Sequence, residues 1–185
     1  MIIIPSKVIL TAPHALCEID EECDLKAIKF MTTIENEMRN KDIEVESYAG
    51  DIFRSIKDLN RKESSNTRFM EKVNFALSRL SKNEGVVIDV HSSPADIMKE
   101  KFEVFFLVID DPKVNNNFTR DVCNYFKQLN LKCYIFEGSL DNYIIYRALF
   151  IYNIRRVMLI EINNMVRQPK MKYIASVLSD YINKI

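Results

Sequence analysis

The sequence predicts an α/β fold: three layers, α/β/α, built on a mostly parallel mixed sheet. Apolar strand-like runs alternate along the chain with amphipathic segments of helical length. Strands separated by helices imply crossover connections, and crossovers imply parallel pairing with both sheet faces covered. No linker or internal repeat interrupts the 185 residues, so one domain accounts for all of them (1–185).

Residues 7–12 read as a buried strand, rich in aliphatic and β-branched side chains. From Asp24 to Met38, apolar residues recur at Ala27, Met31, Ile34 and Met38, the spacing of one helix face. Residues 43–49 alternate as a half-buried strand, and 52–56 read as a further short extended piece. Asn66 is placed to cap a helix running to about Leu80, with Phe69, Val73, Ala76, Leu77 and Leu80 on its apolar side. Residues 86–91 and 103–109 are strands, the second followed by an Asp110-Asp111-Pro112 turn. A helix over 115–129, a strand over 132–136, a helix over 140–152, a strand over 156–162 and a helix over 170–184 complete the chain.

Hydrophobic content of 48% and charged content of 28% are those of a globular protein. Lys+Arg and Asp+Glu both number 26, so the chain lacks the positive field that nucleic acids or anionic membranes require; neither is expected as a partner. No apolar run reaches the ~18 residues that span a bilayer, and Met1-Ile2-Ile3-Ile4-Pro5 lacks the basic start of a signal peptide. The cysteines Cys17, Cys23, Cys123 and Cys133 form no C-x-x-C pair and are expected to be reduced thiols, which points to the cytoplasm.

The chain has two histidines, and each closes a strand-like run: Val8-Ile9-Leu10-Thr11-Ala12-Pro13-His14 and Val86-Val87-Ile88-Asp89-Val90-His91. Open α/β sheets bind ligands outside the carboxyl ends of their strands, and neutral imidazole is the commonest metal ligand. The pair therefore reads as a metal site in preference to two structural histidines. A catalytic zinc takes three protein ligands and leaves one position open; with two histidines given, a carboxylate must be the third, leaving a net charge of about +1. Four segments put polar residues at strand ends or in the turns after them: Pro13-His14 with Cys23-Asp24, Asp58-Leu59-Asn60-Arg61, Asp89-Val90-His91-Ser92, and Glu161-Ile162-Asn163.

Together and in this order, these segments resemble the N-formylglutamate amidohydrolase family, within the wider group of zinc carboxypeptidase-like hydrolases with their phosphorylase/hydrolase-like fold. The resemblance runs from about residue 10 to residue 165. It implies one Zn2+ per chain, held by His14, Asp24 and His91. Glu18, Asp20, Glu21 and Glu22 compete for the third place, and an Asp at position 24 is also suited to capping the first helix. The resemblance makes Glu161 the proton carrier between the attacking water and the leaving amine, where the alternative is an ion pair with Arg147, Arg155 or Arg156. It gives Arg61 and Asn60 to an acidic substrate group, which a guanidinium can grip through two hydrogen bonds, or to the developing oxyanion, and so counts Arg61 with Glu161 as catalytic.

Asp89 shares a strand face with His91 and is expected behind it or against substrate; Ser92 is expected to accept a hydrogen bond at the strand end and to belong to the substrate set. The Glu137–Asn142 segment resembles a family loop near the site, which brings Asn142 into the substrate set and leaves Ser139 as a helix cap. Tyr143, Tyr146, Phe150 and Tyr152 fall at helical spacing, which favours core packing. The expected activity is hydrolysis of a C–N amide bond in an acyl-amino acid or small peptide. Its rivals are an inactive relative that binds a protein partner and a carboxypeptidase-like peptidase.

Overall fold

The computed structural model describes residues 8–16, 24, 26–54, 56–93, 101–109, 111, 113–138 and 141–185. Six strands form one sheet: β1 (Val8–Ala12), β2 (Val45–Ala49), β3 (Val86–Ser93), β4 (Val104–Ile109), β5 (Cys133–Gly138) and β6 (Arg156–Asn163), in the order β2-β1-β3-β6-β4-β5. Five helices cover it: α1 (Ala27–Arg39), α2 (Arg68–Arg79), α3 (Asn117–Gln128), α4 (Tyr143–Tyr146) and α5 (Gln168–Lys184). A 3-10 turn at Lys62–Ser64 precedes α2, and a π-helix at Arg147–Ile151 continues α4.

All neighbouring strands pair in parallel except β4 with β6. The reason lies in chain length. The stretch 94–103 between β3 and β4 is shorter than the dozen or more residues a crossover takes, so β4 starts at the end of the sheet where β3 stopped. The expected three-layer, mostly parallel mixed sheet is the one found.

Two apolar cores lie on opposite faces. Val8, Leu10, Val86, Ile88, Val90 and Ile160 pack with α1, α3 and α5. Ile9, Val87, Val157 and Leu159 pack with α2 and α4. The period-2 alternation of β3 thus sends Val87, Asp89, His91 and Ser93 to the α2/α4 face. That face of the strand is apolar at its start and polar at its carboxyl end, which is where the site lies.

Three local expectations need correction. The described residues of the 52–56 stretch (52–54 and 56) are not in a strand: the N–H groups of Ile56 and Lys57 both donate to the Phe53 carbonyl in a turn. Thr67 rather than Asn66 caps α2, its hydroxyl accepting the Met70 N–H at 3.3 Å, while Asn66 accepts a bond from Lys57 Nζ. Tyr146 is 37% exposed rather than packed in the core; only four residues of that segment are α-helical before the π-helix rotates its faces.

Gly50 fixes the approach to the first histidine. Its N–H donates to the Ala12 carbonyl at 2.8 Å, and a Cβ there would stand 2.0 Å from the Pro13 carbonyl oxygen. Any side chain at this position would push the β1 exit, and His14 with it, out of place.

Candidate metal centre

His14 leaves β1 in a turn and His91 lies near the end of β3; their rings meet edge to face with centroids 5.1 Å apart. Asp24, just before α1, reaches between them. Its Oδ2 is 2.7 Å from His91 Nδ1 and 3.5 Å from His14 Nδ1. The three side chains are buried, at 4%, 6% and 7% exposure for His14, His91 and Asp24, and their potential ligand atoms lie within 4.8 Å of one another. The helix-cap alternative for Asp24 does not hold: Lys26 occupies the cap position of α1, without a side-chain cap. Glu18, Asp20, Glu21 and Glu22, with Cys17, Cys23 and Ser139, lie outside the described residues.

The far nitrogens of both rings are anchored. His14 Nε2 lies 2.7 Å from Asp58 Oδ1 and His91 Nε2 lies 2.8 Å from Asp89 Oδ2. A carboxylate on Nε2 fixes the N–H there and turns the Nδ1 lone pair inward, the arrangement that supports metal-binding histidines. The inward atoms are poorly satisfied: His14 Nδ1 and Asp24 Oδ2 are buried and make no hydrogen bond, and the contact they have is the ion pairing of Asp24 Oδ2 with the two rings. An orphaned buried polar atom costs about 1–3 kcal/mol, and a cation between these atoms removes that cost. Ligand atoms at zinc distances in a tetrahedron stand roughly 3.4 Å apart. The 3.5 Å between His14 Nδ1 and Asp24 Oδ2 matches this, and the 2.7 Å at His91 needs only a small opening. The residues present fit a zinc ion.

Electrostatics tell the same story from the charge side. Burial pulls the His14 pKa down, but Asp24 and Asp58 outweigh it and leave it raised. Burial also opposes charge on His91, yet Asp89 and Asp24 hold its pKa well above the ordinary value. For Asp24, burial pushes upward and the two histidines bring the carboxyl down to about 2. Burial likewise pushes Asp58 upward, but His14 and the Asn60 backbone N–H hold it below the ordinary carboxylate range. The acidic partners favour a proton on the imidazoles when no metal is bound.

Asp89 is the hub behind His91. Fully buried, it accepts from Thr11 Oγ1 at 2.5 Å on one oxygen. On the other it accepts from Asn142 Nδ2 at 2.6 Å and Asn60 Nδ2 at 3.2 Å, besides His91. The acceptor sides of the two amides are also used: Asn60 Oδ1 takes the Ile144 N–H and Asn142 Oδ1 the Ile145 N–H. Asn60 and Asn142, both expected to contact substrate, thus line the cleft with amides already committed to Asp89 and α4.

Ser92 accepts a hydrogen bond at the strand end, as expected, but from the Lys26 N–H at 3.0 Å. It alternates to the opposite face from His91 and anchors the start of α1, so it does not line the cleft where a substrate contact was expected. Its neighbour Ser93 is on the cleft side and donates to the Glu161 carboxylate. Glu161 is half-buried and sits directly across from His91 in the β3–β6 register. None of Arg147, Arg155 and Arg156 pairs with it among the described residues; Arg147 turns to Asn74 and Tyr152.

These side chains border a cleft of about 380 Å3 that opens over the sheet face, with Leu107, Phe136 and Leu159 among its lining residues. Arg61 stands at its edge, 44% exposed in its side chain. The guanidinium donates to the Asn60 and Asp141 carbonyls, and Nε lies 3.7 Å from Asp58 Oδ2. Arg54 lines the same cleft, with Nε 3.6 Å from the same oxygen.

Sequence reasoning assigned no role to Thr11, Arg54, Asp58 or Ser93. Asp58 opens the quoted Asp58-Leu59-Asn60-Arg61 segment, Ser93 adjoins the Asp89–Ser92 segment, and Thr11 sits beside Asp89 in register, so strand alternation would have found Thr11 and Ser93. Arg54 carried no signal, because its stretch read as a strand.

No protein-family model matches the chain, and no curated protein matches it by sequence. Solved structures do match in fold. A gene product of Agrobacterium tumefaciens superposes with a TM-score of 0.72 at 13% identity, over 97% of this chain and 90% of that one. An N-formylglutamate amidohydrolase from Ralstonia eutropha gives 0.61 at 10% identity, over 97% and 93%. A metallo-carboxypeptidase from Burkholderia cenocepacia gives 0.64 at 10% identity, over 99% of this chain and 57% of that one. In fold, this chain is similar to an N-formylglutamate amidohydrolase and a metallo-carboxypeptidase, as its sequence motifs led one to expect.

Proposed function

We propose that the protein is a zinc-dependent hydrolase of a C–N amide bond, acting on an N-acyl amino acid, formyl-like in its acyl group, or on a small peptide. One observation carries the reading: two imidazole Nδ1 atoms and one carboxylate oxygen converge within 4.8 Å of one another, while a separate carboxylate holds each remote nitrogen. A structural histidine pair would have no reason to leave the buried His14 Nδ1 without a hydrogen bond.

His14, Asp24 and His91 would hold one ion per chain. When bound, zinc polarises the scissile carbonyl and makes water a nucleophile near neutral pH. The chain's own groups do the rest. Glu161, beside His91 in register and oriented by Ser93, takes a proton from the attacking water as the C–O bond forms and returns it to the nitrogen as the C–N bond breaks. Arg61, with Arg54 close by, orients an anionic substrate group at the cleft edge. Asp58 and Asp89 keep both imidazoles in the ligating tautomer, and Asn60 and Asn142 hold Asp89 in place.

The test is hydrolysis of N-formyl- and N-acetyl-amino acids with acidic side chains, then of short peptides, by zinc-loaded protein. Turnover that a chelator abolishes and zinc restores is the expected result. A zinc-loaded wild type that cleaves nothing in such a panel overturns the reading in favour of a binding protein built on a hydrolase fold. No helix among the described residues is long and apolar enough to cross a membrane.

A further inference from the structure

The metal cleft does not end at Arg61. Arg61 and Asp141 line it and also line a second cleft of about 530 Å3. Tyr143 and Tyr146 stand in the wall of that second cleft, stacked at 6.2 Å with planes 11° apart. The stack continues to Phe150 at 5.4 Å and 26°. Phe150 in turn borders a third cleft, together with Lys82, Lys113 and Arg155 and with no carboxylate among its described lining residues.

Three features mark this strip as more than packing. Tyr146 and Ile151 are 37% and 48% exposed, so they serve no core. The backbone changes from α to π geometry at Arg147–Ile151, a rare conformation found frequently at functional sites. In the second cleft Arg61, Lys62 and Arg147 outnumber Glu63 and Asp141. Lys62 and Arg147 form no ion pair among the described residues, although the chain as a whole carries no net charge.

We propose that the strip along α4 and its π-helix is an extended subsite for an acidic peptide, one residue of which occupies the metal cleft. Naming a peptide rests on the amide-hydrolase reading; the existence of the subsite does not. An extended chain advances about 3.3–3.6 Å per residue, so the Tyr143–Tyr146–Phe150 ladder accommodates roughly three residues beyond Arg61. Their carboxylates meet Lys62 and Arg147, and their flat amide and aliphatic portions lie on the rings. Rings and cations also bind single-stranded nucleic acid. The strip is continuous with the metal cleft through Arg61 and Asp141, and the amide-hydrolase reading gives that cleft an amide substrate, which favours the peptide.

The experiment is calorimetric titration of the full chain with glutamate, diglutamate and tetraglutamate. It uses His14→Ala, which separates binding from turnover, and the wild type in chelator as a second background. Affinity is expected to rise tenfold or more from glutamate to tetraglutamate and to weaken with salt. Tyr146→Ala and Lys62→Ala, both at exposed positions, are each expected to cut tetraglutamate affinity severalfold to tenfold while leaving glutamate affinity little changed. Length-independent binding, or variants that bind tetraglutamate like their parent, overturns the proposal. So does a tetranucleotide that binds more tightly than tetraglutamate and responds to the same substitutions. Because the readout needs neither metal nor turnover, a failed metal-hydrolase reading and a failed subsite give different results.

Discussion

Asp89 and His91 lie two residues apart on β3, and the Asp89 carboxylate takes the His91 Nε2 proton at 2.8 Å, so the strand carries both the ligand and the group that aims it. The same carboxylate also receives Thr11, Asn60 and Asn142. Asp89→Asn would set an amide among donors, which costs about 1–3 kcal/mol of folding stability for each buried group left unpaired. Loss of such a supporting carboxylate typically weakens metal binding by about 10–100-fold. A competition titration against a chelator, read beside the melting temperature, should show both losses; unchanged zinc affinity would remove Asp89 from the site.

Metal binding should release protons. The raised pKa values of His14 and His91 favour protonated imidazoles in the metal-free protein, and a zinc ligand must be neutral. Apparent zinc affinity is therefore expected to climb with pH by up to about tenfold per unit for each proton displaced. Without metal, the direction reverses for stability. The histidine contribution is complete below their unfolded value near 6.5 and fades as pH rises through the raised folded values. The Asp24 contribution is complete above 3.8 and fades as pH falls toward about 2. Thermal melts of chelated protein should be highest between those limits. A metal-free protein that grows steadily more stable from pH 7 to 9 would contradict the charge arrangement.

Glu161→Gln keeps the shape that Ser93 binds and removes the basicity. If Glu161 carries the proton, kcat falls by about 10²–10⁴-fold with metal content intact. A structural glutamate would show lost stability instead, with activity per folded molecule preserved.

Arg61→Lys keeps the charge and loses the two-pronged grip. On an anionic substrate the Michaelis constant should rise about tenfold, the equivalent of roughly 1.4 kcal/mol. Unchanged kinetics would return Arg61 to the role of a surface turn residue bonded to the Asp141 carbonyl.

Much of this was legible in the residues. The strands around His14 and His91 stand out because buried parallel strands are runs of β-branched residues, and the polar residues ending those runs mark where the sheet stops being core. Arg54 and the stretch around it were misread because Ile52-Phe53 imitates a strand start while the backbone turns at Phe53. Ser92 was chosen over Ser93 although alternation from His91 selects Ser93; the face of the strand, not proximity along it, decides what reaches the cleft. The antiparallel β4 follows from the length of a connection rather than from any property of its own residues. The exposed aromatic ladder was hidden because helical spacing reads the same whether a face meets core or solvent, and because nothing in the sequence announces a π-helix.

The central claim is the three-ligand metal centre, and elemental analysis of the purified chain and its single-site variants tests it most directly. One zinc per wild-type chain is predicted, with His14→Ala and His91→Ala each losing it stoichiometrically and Asp24→Ala binding it more weakly. If both histidine variants retain a full complement of zinc, the site is not at these residues.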